Sequence, residues 1–104
     1  MNQKISILYT TVASKEDAEN LAEQAIIAKL AACVNIIPNA ISMYEWNGKL
    51  EKTSEFLIIF KTSDNKIEKL YQWILNNHPY DVPAILKTLV DTSVEFYSYV
   101  KTQV

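Results

Sequence analysis

Glycine is nearly missing: Gly48 is the only one in 104 residues. That excludes the glycine-rich phosphate loops of dinucleotide and nucleotide-triphosphate sites. Cysteine and histidine occur once each, as Cys33 and His78. A single cysteine forms no intrachain disulfide. The N-terminal "MNQKISILYTT" lacks signal-peptide architecture, and together these features predict a cytoplasmic protein. One His and one Cys complete a closed zinc site only with carboxylates or with copies from other subunits. Long apolar runs are missing too. "AIIA" and "LAACV" are separated by Lys29 and fall far short of a membrane span, so no membrane insertion is expected. Neither charge dominates: ten basic against twelve acidic residues leave a net charge of −2, with no footprint for nucleic acid or an anionic membrane. No Ser–His or Cys–His pair stands at a recognisable spacing from an orienting acid. The nearest pairing is His78 with Asp81 across Pro79, which names no reaction class, so an enzyme is not expected.

What is present is the composition of one globular domain over residues 1–104, 49% hydrophobic and 21% charged. "KISILYTTV" alternates as a strand does. Ser14 followed by Asp17 forms a capping-box pattern, and Ala18, Leu21, Ala22, Ala25, Ile26 and Leu30 continue as a helical stripe. From Cys33 to Thr62 two strands are expected, the first interrupted at Pro38-Asn39 by a bulge or kink. They are joined at Asn47-Gly48, a type I′ hairpin signal. Asp64 is placed to cap a second helix with the stripe Ile67, Leu70, Tyr71 and Ile74. Pro79 ends that helix at or before His78, so "NNHPYDVP", with Pro83, is a loop. "AILKTLV" is a fourth strand, and "SVEFYSYVK" a short helix capped by Thr92 or Ser93. The order is β-α-β-β-α-β plus a terminal helix, an α+β, ferredoxin-like sandwich with a long hairpin between its second and third strands.

Two features ask for a partner. "FLIIF" is apolar at both parities, with Phe56, Ile58 and Phe60 on one face and Leu57 and Ile59 on the other, yet two helices cover one face only. The hairpin arms of about 14 residues would span roughly 48 Å at about 3.4 Å per residue. A domain of this size has a radius of gyration near 13 Å. The outer half, with Met43, Tyr44, Trp46 and Leu50, should project as an association surface, which predicts a closed homo-oligomer.

"KLAACVNIIP", "SMYEWNGKLE", Glu55, "FKT" and "HPYDVPAI" together resemble the CutA divalent-cation-tolerance family over nearly the whole chain. The resemblance implies a stable trimer related in architecture to PII signalling proteins, a role in metal tolerance, and copper binding as reported for some members. The chain departs from the family pattern at several places. Ala84 stands where a glutamate is usual. Thr10 and Asn77-His78 stand where some bacterial members carry a Cys and a His-His pair associated with copper. Phe96-Tyr97-Ser98-Tyr99 replaces the usual Tyr-Leu-x-Trp.

A metal, copper or another divalent cation weakly bound, would draw on His78 with Asp81 and Glu55, a mixed donor set of low selectivity. The alternative for His78 is a structural place at a helix C-terminus, where a protonated imidazole gains from the helix dipole. Tyr44, Trp46, Glu55, Lys61 and Tyr80 are candidates for an inter-subunit cleft or interface. For Lys61 the choice is a solvated lysine or an anion contact; for Tyr80, a bond across a subunit boundary or packing on the second helix. Cys33, Gly48, Pro79 and Pro83 are expected to be structural. The resulting expectation is a cytoplasmic homotrimer that responds to divalent metal ions. The alternative is a PII-like regulatory or scaffold trimer that binds a small anion or a partner protein.

Overall fold

The computed structural model describes residues 3–104. Its elements run β1 (Gln3–Val12), α1 (Lys15–Ile27), β2 (Cys33–Trp46), β3 (Lys49–Thr62), α2 (Ile67–Asn77), β4 (Ile85–Thr92) and α3 (Val94–Gln103). The strands form one antiparallel sheet in the order β2-β3-β1-β4. This is the expected β-α-β-β-α-β sandwich with its added C-terminal helix.

Side-chain alternation sorts the sheet into two faces. Leu8 pairs with Phe60 and Thr10 with Ile58. Leu8, Ile58 and Phe60 are fully buried beneath α1 and α2, where they meet Leu21, Ala25, Leu70 and Ile74. α1 covers the sheet with mostly small residues, which lets it approach closely. Ile26, part of the expected stripe, is 42% exposed, and Leu30 lies beyond the helix end.

The opposite face is only partly covered. α3 seals one end, where Val100 packs with Ile5 and Ala32 and is flanked by Val90 and Phe96. The expectation that nothing in the chain covers this face is corrected to that extent. Ile7, Tyr9, Leu57 and Ile59 remain half-buried, and Leu86, which pairs with Tyr9, is 61% exposed.

Several local expectations hold in detail. Ser14 Oγ accepts the Asp17 N–H, and Ser93 rather than Thr92 caps α3 by accepting from Phe96 N–H. Asn47 and Gly48 both have positive φ, 52° and 76°. Pro38 and Asn39 form the irregularity between Ile37, opposite Leu57, and Ala40, opposite Glu55. The Asp64 cap fails. A turn closed by Lys66 N–H donating to the Ser63 carbonyl delays the helix, so Lys66 becomes the N-cap and makes no side-chain cap bond.

The hairpin outruns the sheet. β1 pairs with β3 only over Phe56–Thr62, so Lys49–Glu55 and Ala40–Trp46 continue as a bare two-stranded ribbon. The molecule measures 47 Å along its long axis, and its 14.6 Å radius of gyration exceeds the roughly 13 Å of a globular domain of this length. Register puts Tyr44 and Trp46 on one ribbon face and Ile41, Met43 and Leu50 on the other. All five side chains are exposed, Leu50 by 75%.

Candidate functional site

Pro79 sets the site in motion. It ends α2 at Asn77 and turns His78 into extended backbone, φ −69° and ψ 137°. The imidazole then points back across the sheet end toward β1. Its Nε2 lies 2.9 Å from Thr10 Oγ1 and 3.0 Å from the Thr11 carbonyl. Its Nδ1 lies 3.0 Å from the Tyr80 backbone nitrogen.

These partners determine the protonation state. A backbone N–H only donates, so Nδ1 accepts and carries no proton. A carbonyl only accepts, so Nε2 donates. The Thr10 hydroxyl gives its own proton to the Ala84 carbonyl at 2.8 Å, which leaves its oxygen free to accept from Nε2–H. His78 is therefore neutral, in the Nε2–H tautomer, with both nitrogens satisfied. Burial lowers its pKa below the usual 6.5, against the opposing pull of the Thr11 carbonyl and of the Asp17 and Glu55 carboxylates. The sequence-based alternative of a protonated histidine stabilised by the helix dipole is corrected here: desolvation and a donor at Nδ1 both favour the neutral ring.

Tyr80 continues the relay. Its ring tilts against His78 at 4.9 Å between centroids, and its hydroxyl donates to Glu55 Oε2 at 2.5 Å. Burial, followed by the bond to Glu55 and the charge on Glu55, holds the phenol proton well above the ordinary tyrosine range. Glu55 sits just beyond the last β1 pairing, where β3 has lost its neighbour. Of the two alternatives for Tyr80, a bond across a subunit boundary or packing on the second helix, neither describes this contact: the hydroxyl bonds Glu55 of its own chain, between a loop and the base of the ribbon.

Together Tyr80, Asp81 and Val82 on one side and Tyr44, Trp46, Glu51 and Glu55 on the other frame an open cleft of about 740 Å³. Its charged lining residues, Glu51, Glu55 and Asp81, are all acidic. Lys61 is not part of it. This residue lies on the partly open sheet face opposite Ile7 and Cys33, with Nζ 5.8 Å from the centroid of the Phe96 ring. Cys33 is a free, half-buried thiol at the start of β2. Gly48 forms the hairpin tip, and Pro79 and Pro83 bracket the loop.

The donors do not fit a resident metal within one chain. His78 Nδ1, the only imidazole lone pair, is taken by Tyr80 N–H. Among the described residues no three His, Cys, Asp or Glu side chains converge as a metal site would require. Sequence reasoning treated Thr10 as a lost ligand; in the structure it is a hydrogen-bond partner of His78. A hydroxyl next to a strand end and a single histidine far along the chain leave no local pattern that would have revealed this.

A family model described as "CutA1 divalent ion tolerance protein" matches residues 6–103. The chain belongs to the CutA1 divalent ion tolerance family. "Protein CutA, chloroplastic" of Arabidopsis thaliana is 44% identical over 80 residues, 77% of this chain and 44% of that protein. "Divalent-cation tolerance protein CutA" of Yersinia pestis is 39% identical over 80 residues, 77% of this chain and 67% of that protein. The chain thus spans less than half the length of the plant relative. Among solved structures, CutA from Synechococcus elongatus superposes with a TM-score of 0.93 at 32% identity, covering 99% of this chain and 93% of that one. The CutA fold is therefore the fold of this chain, ribbon included.

Proposed function

We propose that the chain acts as a cytoplasmic homotrimer in the response to divalent metal ions, without catalysing a reaction. One observation carries this reading: an unfinished apolar surface that runs from the open sheet face onto the ribbon. Ile7, Tyr9, Leu57 and Ile59 are only half-buried and Leu86 is exposed, beside a two-stranded arm that carries exposed apolar side chains on each of its faces. Isolated two-stranded arms are marginal in water, and apolar surface of this extent marks an interface. A closed ring of copies would cover both the face and the arm, and would place the Glu55–Tyr80 cleft at the subunit boundaries.

The cleft's charge supports cations over anions. With Glu51, Glu55 and Asp81 on its walls and no lysine, it repels a phosphate or carboxylate ligand. The family's divalent-ion role agrees with that sign. Copper is not held at His78 in this reading, because the ring's lone pair is engaged.

Two measurements on the purified chain test the proposal. Light scattering behind a sizing column should return the mass of three chains; a stable monomer at micromolar concentration refutes it. Melting temperature followed against copper, zinc, nucleotides and small carboxylates should rise with the metals, since a ligand that binds only the folded state stabilises it. A rise with anions while metals are silent would favour a PII-like anion sensor instead.

A further inference from the structure

We propose that His78 is a proton-operated latch: protonation of its ring releases Tyr80 from Glu55 and opens the cleft beneath the ribbon. The loop at 79–84 is held by few bonds. Outside the sheet ladder, three hydrogen bonds tie it to the rest of the described chain. Tyr80 N–H donates to His78 Nδ1, Tyr80 hydroxyl donates to Glu55, and the Ala84 carbonyl accepts from Thr10. Two of the three involve Tyr80, and the third shares its threonine with His78 Nε2.

A proton added to this imidazole has one place to go, Nδ1. There it confronts the Tyr80 N–H, donor against donor at a separation of 3.0 Å. The attraction becomes a repulsion, and the loop backbone must move. Tyr80 moves with it, because the displaced N–H and the ring that tilts against His78 belong to the same residue. The bond to Glu55 is then lost and the cleft wall formed by Tyr80, Asp81 and Val82 swings free.

The surroundings of the ring oppose one another in a way suited to a switch. Asp17 from α1 and Glu55 from β3 are acidic and favour the charged ring, whereas burial disfavours it. Tyr80 and Asp81 belong to the moving loop. β1 contributes only the uncharged Thr10 and Thr11, and the residue just before β4 only the Ala84 carbonyl that Thr10 binds. Deprotonation therefore restores a complete hydrogen-bond set, and protonation leaves a mismatch at one atom.

The presence of only one histidine makes the test unambiguous, since every imidazole signal of the full chain belongs to His78. Nitrogen-15 NMR of the ring is recorded from pH 8 to pH 5 with the Tyr80 ring signals followed alongside. The expected result is the Nε2–H tautomer at pH 8, a titration midpoint below the usual 6.5, and Tyr80 shifts with that same midpoint. In His78→Gln, whose amide supplies an acceptor and a donor without titrating, the Tyr80 shifts should be flat over the range. An Nδ1–H tautomer at pH 8, a midpoint at or above 6.5, or Tyr80 signals that ignore the His78 midpoint would overturn the latch. If the glutamine variant does not fold, the tautomer and the co-titration in the unaltered chain still decide. None of these readouts depends on oligomer size or on metal, so the latch and the proposed metal role fail separately.

Discussion

Ile58 and Ile59 are neighbours in sequence and face opposite environments, which makes them a paired probe of assembly. Ile58 is fully buried under α1 and α2, while Ile59 sits on the half-covered face between Tyr9 and Asn35. If other copies cover that face, completing the burial of the half-buried Ile59 is worth about half of the roughly 1.5–3 kcal/mol of a full transfer, about 0.8–1.5 kcal/mol per chain. Over three chains that amounts to about 2–5 kcal/mol, before any cost of desolvating an ammonium. Ile59→Lys should therefore dissociate the particle at micromolar concentration and lower its melting temperature. Ile58→Ala is the counterpart: it should cost about 2–5 kcal/mol of folding stability through loss of contacts and an internal cavity, whatever the assembly state. Light scattering over a dilution series gives the mass, and denaturant titration gives the stability. An Ile59→Lys protein with the unaltered chain's mass and melting temperature would show that the open face stays in water. A trimer closed over that face would then be refuted.

Changing both Tyr44 and Trp46 to Ala should weaken assembly by several kcal/mol, about 2 or more for each buried aromatic anchor, and unchanged mass and melting temperature would place the ribbon tip in solvent. Lys29 occupies the left-handed region at φ 61° just past the α1 C-terminus, a place that usually takes glycine. Lys29→Gly should stabilise the protein by about 1 kcal/mol, read as a higher urea midpoint at constant slope. Tyr80→Phe removes a hydrogen bond to a charged acceptor and should cost about 1.5–3 kcal/mol; in a double-mutant cycle with Glu55→Gln, additive losses would deny the coupling. Stability should also fall on mild acidification. His78 has its folded-state pKa lowered, so the unfolded chain binds the extra proton first. The contribution is complete above 6.5 and is lost as pH drops from there through the folded-state value. A smaller loss in His78→Gln than in the unaltered chain, by urea midpoint at pH 7.5 and 5.5, checks this.

Most of what depends on near neighbours was readable in the sequence. The period-two alternation of β1, the Asn47-Gly48 turn, the Pro38-Asn39 irregularity, and the end of α2 before Pro79 each follow from backbone restriction or side-chain periodicity over a few residues. So does the double-faced "FLIIF" strand, because successive strand residues must point to opposite sides. Where local reasoning failed, a nearby alternative had won: Ser63 and Lys66 closed a turn that displaced the Asp64 cap. The site was different. Its members were nameable as residue types, but their partners were not, since Thr10 meets His78 across 68 positions of chain and Tyr80 meets Glu55 across 25. Only the folded sheet puts a hydroxyl, a carbonyl and an N–H around one imidazole and so makes it neutral. The same arrangement removes its lone pair from metal chemistry, turns Glu55 toward its own chain, and leaves Lys61 on another face. The sequence alone determined the order and type of the elements, because those are settled by neighbours. The tertiary structure decided the chemistry of the site, because protonation and ligation depend on which groups from distant strands and loops come within hydrogen-bonding distance.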